Sequence, residues 1–256
     1  MPAKIIVKAI AMVAAIQLSG CADNSPPPDN QNYLTSTAEI TENINFFLGK
    51  SVAVRNDVVE TIGDRGLVLD RDRILSNEIL LIIDTSETPF SFSGDRTPEI
   101  VVRGTVDRLN FNRLQQEFNL NLDRRLYAQY EGKPAIIATS TILSPDPEDL
   151  SDRPDLYYDL PLAVTGEVED IDRQHNLFEL DEEKAFGGED LLVLHTKSVE
   201  LNEEQNVILY GALCFFVAEE LERDYNLGWD LPTQKELEAK YSQKPVFVAE
   251  QIQILP

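Results

Sequence analysis

The stretch Phe47-Leu48-Gly49-Lys50-Ser51-Val52-Ala53-Val54-Arg55-Asn56-Asp57-Val58 decides the fold, because its pattern returns at Tyr158-Asp159-Leu160-Pro161-Leu162-Ala163-Val164-Thr165-Gly166-Glu167-Val168. Val54 matches Val164, Asn56 matches Gly166 and Val58 matches Val168, at an offset of 110. Working outward, Leu67–Asp70 matches Phe178–Asp181 and Leu80–Ile83 matches Leu191–Leu194, both at 111. Val102–Val106 matches Leu209–Leu213 at 107, as Phe118–Leu120 matches Tyr225–Leu227. Tyr130–Ala138 matches Tyr241–Ala249 at 111. Blocks in one order with small drifts between them are the signature of an internal repeat, since loops absorb insertions cheaply.

Each unit reads as five strands. Val52, Val54 and Val58 alternate with polar residues, as in a half-buried strand. Gly63 and Gly66 mark a turn before Leu67–Leu69. Ile79–Ile83 is apolar throughout, the pattern of a strand buried on both faces. Ile100–Leu109 and Ala135–Leu143 supply the fourth and fifth strands. Between these two the period changes: Leu114, Phe118, Leu122 and Leu126 recur every four residues, a helical stripe. In the second unit Phe216–Asp224 has the same look, and Pro232 opens a further short helix. Asp123 and Asp230 stand where an N-cap carboxylate serves. Five short strands with both edges open would invite aggregation, so closure into a small barrel is expected. The expected fold is mainly β with short helices (α+β): a tandem duplication of a small five-stranded OB-like β-barrel, with a helical insert between strands four and five. The pattern G-K-x-V-x-V-x-x-x-V, then apolar-x-Leu-Asp, then Leu-Leu-apolar-apolar, resembles uncharacterised bacterial lipoproteins with OB-like repeats.

The N-terminus carries a second resemblance. Lys4 and Lys8 precede the apolar run Ala9–Leu18, which is too short to span a bilayer. Leu18-Ser19-Gly20-Cys21 resembles the lipobox of bacterial lipoproteins. That resemblance implies a signal peptide over 1–20 and lipid attachment, with palmitate-type acyl chains, at Cys21. It also implies a mature chain on the cell membrane or outer membrane, facing the periplasm or exterior. More than one acyl chain makes such an anchor durable. Residues 21–38, rich in Pro, Asn and Ser, then read as a lipidated tether. The expected domains are 39–143 and 158–256, with a solvated linker at 144–157 that holds three Pro and five acids.

The charge excludes one class of function. Lys plus Arg is 22 against 45 Asp plus Glu, a net charge of -23. Nucleic-acid affinity comes mostly from cations on phosphates, so no nucleic-acid partner is expected. Residues 39–143 hold 12 cations and 16 acids, net −4; residues 158–256 hold 7 and 22, net −15. Two readings of this acidity stand side by side: solubility of an exported protein, or a face for a cationic partner in the cell envelope. The densest acids, Asp181, Glu182, Glu183, Glu189 and Asp190, are candidate oxygen ligands for a divalent cation such as Ca²⁺, though without EF-hand spacing.

Catalytic patterns are missing. No G-x-S-x-G, H-E-x-x-H, P-loop or dinucleotide fingerprint occurs. His175 and His195 are the only histidines and read as surface or capping residues; no transition-metal site and no cofactor is expected. Cys214 reads as a small buried hydrophobe, with a Cys214–His195 nucleophile pair as the catalytic alternative. Arg103, Arg108, Arg113, Arg124 and Arg125 read as a salt-laced surface around the first insert. Trp229 reads as core filling, with an exposed contact residue as the alternative. The expected function is a non-catalytic, lipid-anchored binding or scaffold module working through protein–protein contacts, with a Ca²⁺-binding protein as the alternative.

Overall fold

The computed structural model describes residues 34–69, 80–90, 98–158, 160–181, 190–197, 199–242 and 244–255. Its first five strands are β1 (Ser51–Ile62), β2 (Gly66–Leu69), β3 (Leu81–Asp84), β4 (Glu99–Arg108) and β5 (Pro134–Leu143). β1 pairs with β2 and β2 with β3, antiparallel. β3 runs parallel to β5. β5 pairs with β4 and β4 returns to β1, both antiparallel, which closes a five-stranded barrel of OB-like type. The second set is β6 (Pro161–Asp172), β7 (Leu177–Asp181), β8 (Leu191–His195), β9 (Asn206–Phe215) and β10 (Pro245–Ile254). It closes through the same pairs: β6–β7, β7–β8, β8 parallel to β10, β10–β9 and β9–β6. Closure gives each described strand a partner on both sides over part of its length, which shortens the sheet edge left to pair with another chain.

Period-two patterning fills each barrel. Val52, Val54, Val58, Leu67, Leu69, Ile82, Val102 and Ile136 point into the first. Leu162, Val164, Val168, Phe178, Leu180, Val193, Leu209 and Phe247 point into the second. β-Bulges bend the walls: the β4–β5 register slips between Arg103 and Gly104, and the β10–β9 register slips between Ala249 and Gln251, beside Gly211. Strands cross so closely there that a Cβ on Gly104 would lie 2.3 Å from the Ile137 carbonyl oxygen, and one on Gly211 1.9 Å from that of Val248. Only glycine fits at either place.

A second apolar layer lies outside each barrel. Leu81 and Ile83 face away from Ile82 and are buried with Leu114, Leu122 and Tyr127. These come from α3 (Phe111–Glu117), α4 (Arg124–Tyr127) and the segment between them, within the β4–β5 connection. Asn110 and Asp123 cap the two helices by accepting the Arg113 and Arg125 N–H groups. The four-residue stripe from Leu114 to Leu126 is therefore not one helix. Asn119 turns left-handed, with φ of 52°, and Leu120 and Leu122 reach the core from irregular chain. In the second barrel, Leu192 and Leu194 are buried with Leu221, Trp229, Leu237 and Tyr241, from α6 (Ala218–Tyr225), α7 (Leu231–Tyr241) and the turn between. Asp230 caps α7 by accepting the Thr233 N–H at 2.9 Å. The all-apolar runs in β3 and β8 follow from this: one face fills a barrel and the other meets helices.

Two segments differ from expectation. Residues 144–157 are not a solvated linker. They form α5 (Pro147–Asp152) and a 3-10 turn, Pro154–Leu156. Leu150 of α5 is 0% exposed and belongs to the second barrel's core. Polar residues dominate the segment, yet a single well-placed Leu is enough to seat a helix over an open barrel end. The chain ahead of residue 39 also joins the fold. α1 (Thr37–Glu42) starts two residues earlier, capped by Ser36, and Thr37 is buried. Ile40 of α1 and Phe47 of α2 (Ile44–Phe47) sit in the first barrel's core.

The barrels meet face to face, and residues 32–256 form one compact unit. The seam buries Val101, Ala163, Ile208 and Tyr210, with Leu34, Ile142 and Leu255 at its margin. Arg103 does not belong to a helix surface. It projects from β4, and its guanidinium lies 4.1 Å from the Tyr210 ring centroid. Arg55 holds the joint in place through Glu99 and Asp146, each at 2.7 Å, and Ser144 at 3.1 Å.

Candidate functional site: an acidic ladder on the second barrel

In OB-folds the outer face of strands two and three, with the flanking loops, is the usual ligand platform. Here the chain's own helices occupy it. Tyr127 donates its hydroxyl hydrogen to the Ile62 carbonyl and packs beside Leu81 and Ile83. Trp229, 4% exposed and stacked on Phe216, does the corresponding covering in the second barrel. Trp229 is thus a core residue rather than an exposed contact.

The chemistry that remains lies on β6 and β7. Their register sets Glu167 opposite Asp181 and Glu169 opposite Glu179. Like charges directly opposite one another destabilise a sheet. Asp170, at the β-bulge with φ of 42°, and Asp190, just before β8, extend the group. Partial burial and then Asp181 and Asp190 push the Glu169 carboxyl above the ordinary glutamate value. Burial, then Asp170 and Asp190, raise Glu179, against the pull of Lys240 and Lys244. Burial, then Asp181 and Asp170, raise Asp190. The carboxylates thus feel one another, and each proton they retain relieves that repulsion.

Of the expected cation ligands, Asp181 and Asp190 lie within this group, at the end of β7 and the approach to β8. Glu182, Glu183 and Glu189 lie outside the described residues, as does Cys21. Among the described residues no group of three or more His, Cys, Asp or Glu is placed to hold a metal ion. Side chains on a sheet face stand side by side instead of converging on a point. Sequence reading overlooked Glu167 and Glu169. Their alternation in Glu167-Val168-Glu169 was a usable signal, but the partner strand's register was needed to set them against Asp181 and Glu179.

The histidines and the cysteine stand apart. His175 Nδ1 lies 2.7 Å from Asp172 in the β6–β7 turn. Burial pushes the Asp172 carboxyl up, and its bonds to His175 more than offset this, leaving it below the ordinary value. His195 is 8% exposed and its Nδ1 lies 2.8 Å from the Lys197 carbonyl oxygen, which ties down the chain after β8. Cys214 is half-buried rather than fully buried, against the α6–α7 layer. It pairs with Val246 of β10, whereas His195 pairs with Ala249. The two are a strand apart across β10 and three residues apart along it, too far for a nucleophile and its base to share a hydrogen bond. No helix among the described residues is long and apolar enough to cross a membrane. No protein-family model and no curated protein matches the chain.

Proposed function

We propose that this protein is a lipid-anchored extracytoplasmic binding module, non-catalytic, in which duplicated OB-like barrels present a protein-binding surface. The observation that carries the reading is the ladder of Glu167 against Asp181 and Glu169 against Glu179. Lys240 and Lys244 offset part of the repulsion at Glu179, and the like-charged cross-strand pairs make sense as a face whose remaining cost a cationic partner recovers. In the first barrel's sequence Val59 and Val68 stand where Glu169 and Glu179 stand here, so the second acidic pair belongs to the second barrel alone, while Asp57 and Asp70 match Glu167 and Asp181. Duplication is supported by the shared pairing scheme and by matched residues such as Ile40 and Leu150, each the helix residue that plugs its barrel. The lipobox resemblance at Leu18–Cys21 supports the anchor and the envelope location. Occupation of the platform on strands two and three by the chain's own helices supports a surface other than the nucleic-acid site of OB-folds.

The test is in-cell crosslinking from the ladder of the full chain, followed by identification of the captured proteins at low and high salt. A basic partner released by salt is expected, and its loss in the Glu167→Gln/Glu169→Gln/Glu179→Gln variant. Capture that ignores both salt and the substitutions overturns the reading. Calorimetry of the full chain with millimolar-range Ca²⁺ decides the alternative: heat and a raised melting temperature, both absent in the triple variant, would assign the ladder to the ion.

A further inference from the structure

One end of the first barrel, where β1 and β5 begin and β4 ends, carries an exposed aromatic, Phe46, and three exposed cations, Lys50, Arg108 and Lys133. Phe46, next to the buried Phe47, is 63% exposed. The Lys50 amine stands 3.1 Å from its ring centroid. The Val106 N–H donates to the Lys50 carbonyl at 3.0 Å, which sets Arg108, two residues on, at the same rim. The Leu109 N–H donates to the Lys133 carbonyl at 2.8 Å and brings in a third cation. All three cations are exposed. Arg108 donates to the Gly132 carbonyl at 3.2 Å, and Lys133 lies 5.6 Å from the Tyr130 ring centroid. The nearby acids have other partners: Asp107 pairs with Arg113, and Glu131 accepts the Phe111 N–H at 3.3 Å. At the matching rim of the second barrel stand Leu156, Leu160, Phe215 and Lys244, a single cation in place of three.

The described chain begins at Leu34, at the margin of the seam and beside the first strand of this barrel. Leu34 bridges to Ala53, three residues from Lys50. Twelve residues separate Cys21 from Leu34, a span of at most roughly 45 Å when extended.

We propose that Phe46, Lys50, Arg108 and Lys133 form a membrane-facing rim that rests on anionic lipid headgroups, with the Phe46 ring at the boundary between headgroups and acyl chains. An exposed aromatic beside clustered cations matches the two layers of that boundary. The second barrel, with its net −15, is repelled by the same headgroups and is turned outward, toward its partner. This inference rests on the lipid-anchor reading.

The test uses the full lipidated chain in vesicles of phosphatidylcholine with a minor share of phosphatidylglycerol, with bromine on the acyl chains as a fluorescence quencher. Phe46→Trp and Leu156→Trp replace matching exposed residues of the two barrels, and Trp229, being buried, gives a common background. Emission from the Phe46→Trp variant is expected to shift blue and to be quenched, with no change for Leu156→Trp. Adding Lys50→Gln, Arg108→Gln and Lys133→Gln should abolish the quenching while the chain stays on the vesicles. Vesicle-bound protein with no quenching at position 46, or equal quenching at both positions, overturns the proposal. A blue shift that requires envelope extract instead of lipid assigns the rim to a protein and also overturns it. A wild-type chain that fails to float with the vesicles overturns the anchor reading, and this proposal with it.

Discussion

Gly104 and Gly211 are single residues on which barrel closure depends, because the neighbouring strand's backbone occupies the space a side chain would need. Gly104→Ala and Gly211→Ala should each lower the unfolding free energy by about 1–3 kcal/mol, read from denaturant melts. Gly211→Ala should cost the more, given the closer carbonyl; unchanged midpoints would mean that the strands separate freely at the bulge. Leu150 offers the opposite kind of test, since its surroundings in sequence are Pro and acids. If it plugs the second barrel, Leu150→Ala should cost about 2–5 kcal/mol. In a solvated linker the same change would be nearly silent. Both glycines were visible as repeat-matched residues. The weight on Leu150 was not, because one apolar residue in a polar stretch has no period to betray it.

Elements carry the electrostatics. Glu169 and Asp190 have carboxyls raised above their ordinary values of 4.5 and 3.8, and Glu179 is raised likewise. A raised carboxyl binds its proton in the folded state before the unfolded chain does. Its penalty is therefore full at neutral pH and is relieved as pH falls through the raised value. The melting temperature should rise as pH falls from neutral toward the ordinary carboxylate range, and Glu169→Gln/Glu179→Gln should flatten that rise. Below the ordinary aspartate value the slope reverses. Asp123, hydrogen-bonded to Arg125, Asp224, to Arg223, and Asp230, to the Thr233 backbone, are all held low and lose their contribution on protonation. A melting temperature that falls steadily from neutral pH would contradict the ladder. The strands of both barrels were legible from alternation and from the Gly-marked turns. The ladder was not, since neither β6 nor β7 is unusual alone and only their register sets acid against acid.

At the scale of the whole molecule, the seam decides whether two barrels behave as one. Arg103 on Tyr210, with Val101 and Ile208 beside them, couples the halves. Calorimetric unfolding of the wild type should show one transition. Arg103→Ala with Tyr210→Ala should lower it and split it in two, with about 0.5–2 kcal/mol assigned to the cation–π contact by a double-mutant cycle. Two transitions already present in the wild type would show that the seam carries no coupling. Alternation, turn glycines and the spacing of repeated blocks are local properties, so the chain alone determined the order of strands and the acidic bias of its second half. Which acids oppose each other, which helix residue plugs a barrel, and that Arg103 lies against Tyr210 rather than on a helix depend on contacts between residues far apart in the chain. Those contacts follow from closing the barrels and packing them together, and only the tertiary structure decided them.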